Sequence, residues 1–374
     1  GYIFTGFPWN LISFSFSENT NFIQILSIIG TYSFNLICIS LFTCPALFFL
    51  RKSKKEIFIC FFFIIMSVNF LIFGKIKNTQ FNLEKNIKHN YIIRVVSSNI
   101  GLERFYSSED ESKIIEELIS LSSPNEHKKT IFLWPEGIVS EYNLSEMKIY
   151  ESLFVDNFSQ NHIIIMGMND TENINSKNLY FNSLAVFDSH LNLLYSYNKI
   201  NLVPFGEFLP FENILQGLGL KTITNNYQSF SSGSKRKIIN LKHDGFDLSL
   251  LPLICYEIIY SGKLSKNKDF DYIINISEDG WFGKSIGPKQ HFAHSIFRSI
   301  ESGKYVLRSA NNGISAIINP IGIIEKQVKF GDTGFIDFTD SKSVVSTAFS
   351  QYGNKIFIFL ILLYIFLIFS FNRI

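Results

Sequence analysis

The chain has 374 residues, 47% of them hydrophobic, 16% aromatic and 18% charged, with a formal net charge of +2. That balance excludes a disordered chain and a nucleic-acid binder, and it leaves room for a large core and for membrane-embedded segments. With 40 Phe and many Lys, Ile and Asn, an additional Phe or Lys says little at any one position, so the rarer residues carry more information.

The sequence opens on Gly1 in "GYIFTGFPWN", without an initiator Met, so a piece of a longer protein is expected and no signal peptide can be read. Three stretches are apolar enough to leave water: one within Phe22 to Leu50, one from Ile57 to Phe73 and one from Ile356 to Phe371. A spanning helix needs about 20 apolar residues, so the second and third suffice only with their flanks. They are nearly free of charge and lack an amphipathic period, which favours spanning over a core helix. The expected organisation is a membrane region over 1–74, with transmembrane helices at about 22–50 and 57–73, then an exterior domain over 75–353 and a C-terminal transmembrane helix over 354–374. "RKSKK" (Arg51 to Lys55) makes the first connection cytoplasmic by the positive-inside rule, and Asn372 and Arg373 fit a cytoplasmic C-terminus.

Within the exterior domain, "YIIRVVSSNI" predicts a strand, "ESKIIEELISLSS" an amphipathic helix and "TIFLWPEG" a strand ending in a loop. "HIIIMGM", "YFNSLAVFD", "FDLSLLPLICYE" and "DYIINIS" are further strands; "PKQHFAHSIFRSIESGK" is helical, and "YVLRSAN" and "GISAIINPIG" form a strand pair. Apolar strands with interspersed helices indicate an α/β sandwich, with a site where strand ends release their loops.

Four such junctions stand out. In "WPEG", Pro135 fixes the backbone and Glu136 follows an apolar run, as a solvent carboxylate or as a general base desolvated beside Trp134. In "YNKINLVPFGEFLP", Lys199 lies among apolar residues with Glu207 further along, as a surface lysine or as a cation needing a carboxylate or an oxyanion. In "ICYEI", Cys255 is the only cysteine of the exterior domain, since Cys38, Cys44 and Cys60 fall in or beside the membrane runs. A buried core thiol and a nucleophile both remain open there, with Glu136 a proton acceptor for it and Glu257 a support for Lys199. "NISEDGWFGKSIGPKQH" predicts an ordered loop in which Trp281 and Phe282 line a pocket. His291 and His294 lie on a helix without a second ligand set, so neither a metal site nor a Cys/His dyad is expected.

Glu136, Lys199 and Cys255, in that chain order, resemble the Glu-Lys-Cys triad of the nitrilase (carbon-nitrogen hydrolase) superfamily. The flanking apolar helices, "TGFPWN", "WFGKSIGPKQH" and "RSANNGISAII" resemble the apolipoprotein N-acyltransferase family within it, and all three tryptophans, Trp9, Trp134 and Trp281, fall inside the shared motifs. The resemblance implies a nitrilase-like α-β-β-α sandwich on transmembrane helices, in the bacterial inner membrane with its catalytic domain periplasmic. It implies Glu136 as general base, Lys199 as oxyanion stabiliser and Cys255 as nucleophile, with Glu207, Tyr256, Glu257 and Asn182 supporting and Trp134, Trp281 and Phe282 near substrate. The implied reaction moves an acyl chain from a phospholipid, typically phosphatidylethanolamine, through a Cys thioester to the diacylglyceryl-cysteine of an apolipoprotein. No cofactor or metal is implied, and a monomer is expected. A membrane-anchored amidase and a non-catalytic scaffold are the rivals. Phe208 to Leu220 is expected to act as a lipid guide through Leu215 and Leu218. Three features depart from the family: Glu278 stands where Asn is usual, "IGLERFYSSED" lacks a usual Trp, and "ESGKY" is small and basic.

Overall fold

The computed structural model describes residues 7–50, 54–106, 111–139, 143–174, 177–211, 229–264 and 269–373. Residues 5–6 of the "TGFPWN" motif, 51–53 of the basic cluster, 107–110 of the "IGLERFYSSED" loop and 212–220 of the expected lipid guide, with Leu215 and Leu218, lie outside the described residues.

After a 3-10 turn at Ile12–Phe16 come the short helix α1 (Thr20–Ile23) and two long helices, α2 (Leu26–Leu50) and α3 (Lys54–Leu83). Both long helices have the length and composition to cross a membrane, and only 28% and 22% of their most apolar windows are buried. Side chains such as Phe58, Phe61, Ile65 and Ile72 point outward, unlike those of a soluble core helix. Helix α3 continues to Leu83, past the apolar stretch that ends at Phe73. Gly30 breaks α2 with a φ of 72°, and a Cβ there would stand 2.0 Å from the Phe349 ring, so only glycine fits.

The remainder is a four-layer sandwich. Strands β1 (Asn86–Ser97), β2 (Thr130–Leu133), β3 (His162–Ile174), β4 (Lys177–Asp188) and β5 (Leu193–Asn198) form one sheet, with helices α4 (Glu111–Ser122) and α5 (Glu151–Asn157) among them in the chain. The second sheet holds β6 (Ile239–His243), β7 (Phe246–Ile254), β8 (Tyr272–Glu278), β9 (Tyr305–Asn311), β10 (Ser315–Ile318) and β11 (Ile324–Val328). Between β8 and β9 runs α6 (Gly287–Ser302); β12 (Gly334–Lys342) then returns to pair antiparallel with β1, and α7 (Ala348–Tyr352) and α8 (Lys355–Arg373) follow. The sheet orders are β12-β1-β2-β3-β4-β5 and β11-β10-β9-β8-β7-β6. In each, three central strands run parallel, β1 to β3 and β7 to β9.

Side-chain parity assigns the layers. Ile131 and Leu133 of β2 meet Ile254, Ile274 and Ile276 between the sheets, while Phe132 and Trp134 turn to the α4 and α5 side with Ile115, Leu118 and Phe154. On the other side Leu251, Leu253 and Ile273 pack with Phe292, Phe297 and Ile300 of α6, which is itself covered by Leu26 and Phe34 of α2. Helix α6 is therefore buried around most of its circumference, including His291, His294, Arg298 and Glu301. Pro288 starts it and Gly303, at φ 67°, ends it.

Candidate active site

Glu136, Lys199 and Cys255 follow the ends of β2, β5 and β7 and are all buried, with Glu136 and Lys199 near enough for their charges to act on the Cys255 thiol. The loop carrying Glu136 crosses close over β3: Gly167 N donates to Pro135 O at 3.1 Å and Ile138 N to Gly167 O at 3.1 Å. A Cβ on Gly167 would stand 2.5 Å from Glu136 Cα, so this strand position is reserved for glycine.

Lys199 Nζ lies 2.9 Å from Glu207 Oε1 and 3.2 Å from Glu136 Oε1. Asn182 Nδ2 donates to both carboxylates, at 2.8 Å to Glu136 and 2.7 Å to Glu207. Glu136 Oε2 accepts the Glu278 amide at 2.8 Å, and Glu207 Oε2 accepts the Val203 amide at 2.8 Å. Burial by itself lowers the pKa of the Lys199 ammonium, but the carboxylates of Glu136 and Glu207 outweigh it and raise the value well above that of free lysine. Lys199 is thus a fixed cation, not a surface lysine.

Cys255 is the first residue of a 3-10 turn, Cys255–Ile259, and takes a left-handed φ of 47°. A non-glycine residue there costs about 1–3 kcal/mol and persists only where its surroundings hold it. The sulfur neighbourhood is almost closed, with 8% of the residue exposed. Burial pushes the thiol pKa well above the ordinary range, Glu136 adds to the rise and Lys199 offsets part of it. The resting group is a thiol, and its ionisation requires a base beside it.

The Glu257 carboxylate does not reach the Lys199 ammonium. It takes the amide protons of the two residues that follow, Ile200 at 3.0 Å and Asn201 at 3.2 Å, together with the Ile254 amide at 3.0 Å and the Tyr197 hydroxyl at 2.8 Å. One carboxylate thereby joins the lysine-bearing loop to the strand end before Cys255. Arg236 completes this group, paired to Glu257 and donating to the Tyr197 hydroxyl at 3.0 Å and to Leu264 O at 2.8 Å. Nothing in the lysine-rich stretch around Arg236 marked it in advance.

The aromatic residues divide differently from expectation. Trp134 is fully buried in the outer helix layer, packs on Phe154 at 5.8 Å and donates to Ser122 Oγ at 2.8 Å; strand alternation turns it to the side opposite Ile131 and Leu133, which lie between the sheets. Trp281 is half-buried and stacks on Phe105 at 5.2 Å, and half-buried Phe282 packs on Trp9 at 5.2 Å. Tyr256 stacks on Phe7, which stacks in turn on Trp9, so Phe7 and Trp9 lie against the residue after Cys255.

Glu278 faces a partner of its own. Arg104, from the loop after β1, pairs with Glu278 Oε2, and Asn311 Nδ2 and the Gly280 amide also donate to the carboxylate. Burial raises its pKa while Arg104 offsets part of the rise. The next residue, Asp279, accepts two bonds from Arg308 and lies 2.7 Å from His291 Nδ1, whose Nε2 is 3.2 Å from Cys255 O. His291 is thus a fixed neighbour of the main chain at Cys255, with its hydrogen bond to the Cys255 carbonyl and not to the sulfur. Sequence analysis passed over Arg308, although a cation inside a strand such as "YVLRSAN" needs a buried carboxylate and so points to this group. Among the described residues no cluster of three or more His, Cys, Asp or Glu is arranged to hold a metal.

The carbon-nitrogen hydrolase family model matches residues 127–338. The chain is 32% identical over 358 residues to an apolipoprotein N-acyltransferase of Rickettsia prowazekii, covering 94% of this chain and 70% of that one. The corresponding protein of Rickettsia bellii is 33% identical over 373 residues, covering 98% and 72%, and that of Rhizobium rhizogenes 31% over 353 residues, covering 92% and 65%. The chain therefore spans about two thirds of the length of these relatives. Among solved structures, an amidase from Nesterenkonia sp. aligns with 69% of this chain and 94% of its own at 12% identity, with a TM-score of 0.45. The chain belongs to the carbon-nitrogen hydrolase superfamily and, within it, to the apolipoprotein N-acyltransferase family.

Proposed function

We propose that this protein transfers an acyl chain from a membrane phospholipid, phosphatidylethanolamine, to the N-terminal amine of a diacylglyceryl-cysteine apolipoprotein. The carrying observation is the shared burial of Glu136, Lys199 and Glu207 in one polar cluster whose charges act on the Cys255 thiol.

Glu136 accepts the thiol proton as Cys255 Sγ attacks the ester carbonyl carbon. A C–S bond forms, the oxyanion faces the Lys199 ammonium, and the C–O bond to glycerol breaks as Glu136 returns the proton to the leaving alkoxide. In the second half the apolipoprotein amine attacks the thioester. A C–N bond forms, the C–S bond breaks, and the amine proton passes by way of Glu136 to the departing thiolate. The carboxylates of Glu136 and Glu207 raise the pKa of Lys199 well above that of free lysine, which suits electrostatic stabilisation and not proton transfer. Asn182 and Glu207 hold the two ends of the ion cluster, and Glu257 and Tyr256 fix the turn.

The same reading assigns 1–74 and 354–374 to a bacterial inner membrane and 75–353 to the periplasm, with no cofactor. Outward-facing apolar side chains on α2, α3 and α8 support it, since such surface is stable only in lipid or under a partner. The test is complementation with the complete gene in cells depleted of their own N-acyltransferase, read by mass spectrometry of a lipoprotein N-terminus. A triacylated product is expected. A free amine at the N-terminus with fatty acid released to water would replace this reading by a hydrolase.

A further inference from the structure

Two side chains of one helix hold the two ends of the turn that begins at Cys255. His291 Nε2 lies 3.2 Å from Cys255 O, and Arg298 NH1 donates to Ile259 O at 3.1 Å. The turn is Cys255–Ile259, and residues seven apart on α6 share a face, so one rigid helix meets the first and last carbonyls of the turn.

The same helix reaches the break in α2. Glu301 Oε1 accepts the Thr31 amide at 2.7 Å and the Thr31 hydroxyl at 2.7 Å, and it also accepts Ser261 Oγ at 2.6 Å just past the turn. Arg298 Nε lies 2.9 Å from Glu301 Oε2, and its NH2 donates to the Thr31 hydroxyl oxygen. Thr31 is the residue after Gly30, where α2 departs from helical geometry. Arg298, Glu301 and Thr31 are each at most 3% exposed, so these are desolvated contacts that cannot be exchanged for water without cost.

We propose that α6 is the positioning element of the nucleophile turn, with His291 and Arg298 setting its two ends and Glu301 coupling that setting to the α2 break at Gly30 and Thr31. Cys255 needs such support because its left-handed backbone is not self-sustaining. The arrangement makes the reactivity of Cys255 depend on how the apolar N-terminal helices are seated. This inference rests on the reading of Cys255 as the nucleophile.

The test uses Thr31→Val, which removes the hydroxyl contacts at a residue that touches no reacting atom, with Thr31→Ser as the rescue and Glu301→Gln as a second disruption. Each full-length variant, in detergent micelles, is followed in three ways: thioester formation at saturating phosphatidylethanolamine, Cys255 alkylation by iodoacetamide across pH, and melting temperature. Thr31→Val and Glu301→Gln are expected to slow thioester formation by about tenfold to a hundredfold, the scale of a misplaced reacting group, and to change the alkylation profile, with Thr31→Ser restoring both. If the melting temperature falls while thioester rate and alkylation profile stay unchanged, the joint is only structural and the proposal is overturned. Should one disruption fail to fold, the other gives the same reading. An unsubstituted protein that forms no thioester, yet whose alkylation responds to Thr31→Val, would sustain the coupling and refute the acyl-transfer reading.

Discussion

Lys199 Nζ stands 3.2 Å from Glu136 Oε1 with 1% and 8% of the two side chains exposed, so the carboxylate and the cation of the candidate site are a buried ion pair. Glu207 closes the cluster at 2.9 Å. Removing the cation leaves two carboxylates without compensation. Lys199→Met is therefore expected to destabilise the protein by about 3–5 kcal/mol, the usual result of stripping one partner from a buried pair, as well as to abolish turnover. Thermal melting in detergent checks this, and an unchanged melting temperature would contradict the cluster.

Glu136→Gln keeps the size of the side chain and removes its basicity. Thioester formation is expected to fall by about 10²- to 10⁴-fold, the range for losing a general base. Mass spectrometry of the intact protein after mixing with lipid measures the rate. A variant that forms thioester at the original rate would remove Glu136 from the mechanism.

The Cys255 thiol is held protonated by burial and by the Glu136 carboxylate, against a smaller opposite effect of Lys199. Its pKa is raised, so the thiolate is scarce at neutral pH and increases only above the ordinary thiol value of about 8.5. Iodoacetamide labelling of lipid-free protein should be slow at pH 7 and still rising beyond that value. A labelling plateau at or below it would show an ionised resting thiolate instead.

Asp279 is fully buried, and although burial alone raises a carboxyl pKa, Arg308 and His291 bring it below the usual value. A depressed carboxylate pKa contributes stability above the unfolded value of about 3.9 and loses it as pH falls toward the folded one. The stability gap between the unsubstituted protein and Asp279→Asn should be constant from pH 7 to about 5 and narrow below about 4. Melting curves across that range decide it, and a gap that widens on acidification would reverse the sign.

Arg104 and Glu278 form a separable pair. Arg104→Met leaves a buried carboxylate beside Glu136 and should cost about 3–5 kcal/mol, while Arg104→Met combined with Glu278→Gln should recover much of that loss. A double-mutant cycle on melting temperature measures the coupling. Additive effects would mean that Arg104 acts through its bonds to the carbonyls of Ile100, Gly101 and Gly137.

The site and the central strands were legible to different degrees. β2, β8 and β9 are buried at every position, as β7 is from Leu250 on, and each opens or runs on the Ile, Leu and Val that parallel strands covered on both faces require. Strands β5, β6, β11 and β12 gave no comparable signal. β11, "IEKQV", is exposed at four of its five positions and is a strand because β10 offers it a ladder. Trp134, expected beside Glu136 and near substrate, packs instead in the outer helix layer, because nearness in the chain hides the alternation of side chains along β2.

By itself, the sequence singled out the candidate residues: a cysteine apart from the three in or beside the apolar helices, a glutamate after Trp-Pro and a lysine in an apolar loop, each at the end of a run that must be buried. It also determined the family, since ordered motifs survive compositional drift. Only the tertiary structure decided partners. Glu257 with Arg236, Asp279 with Arg308 and His291, and Glu301 with Thr31 are pairings across chain separations that no local pattern encodes. The physical reason is the same in each case. A buried charge must find its counter-charge, but which one it finds is set by how the layers stack.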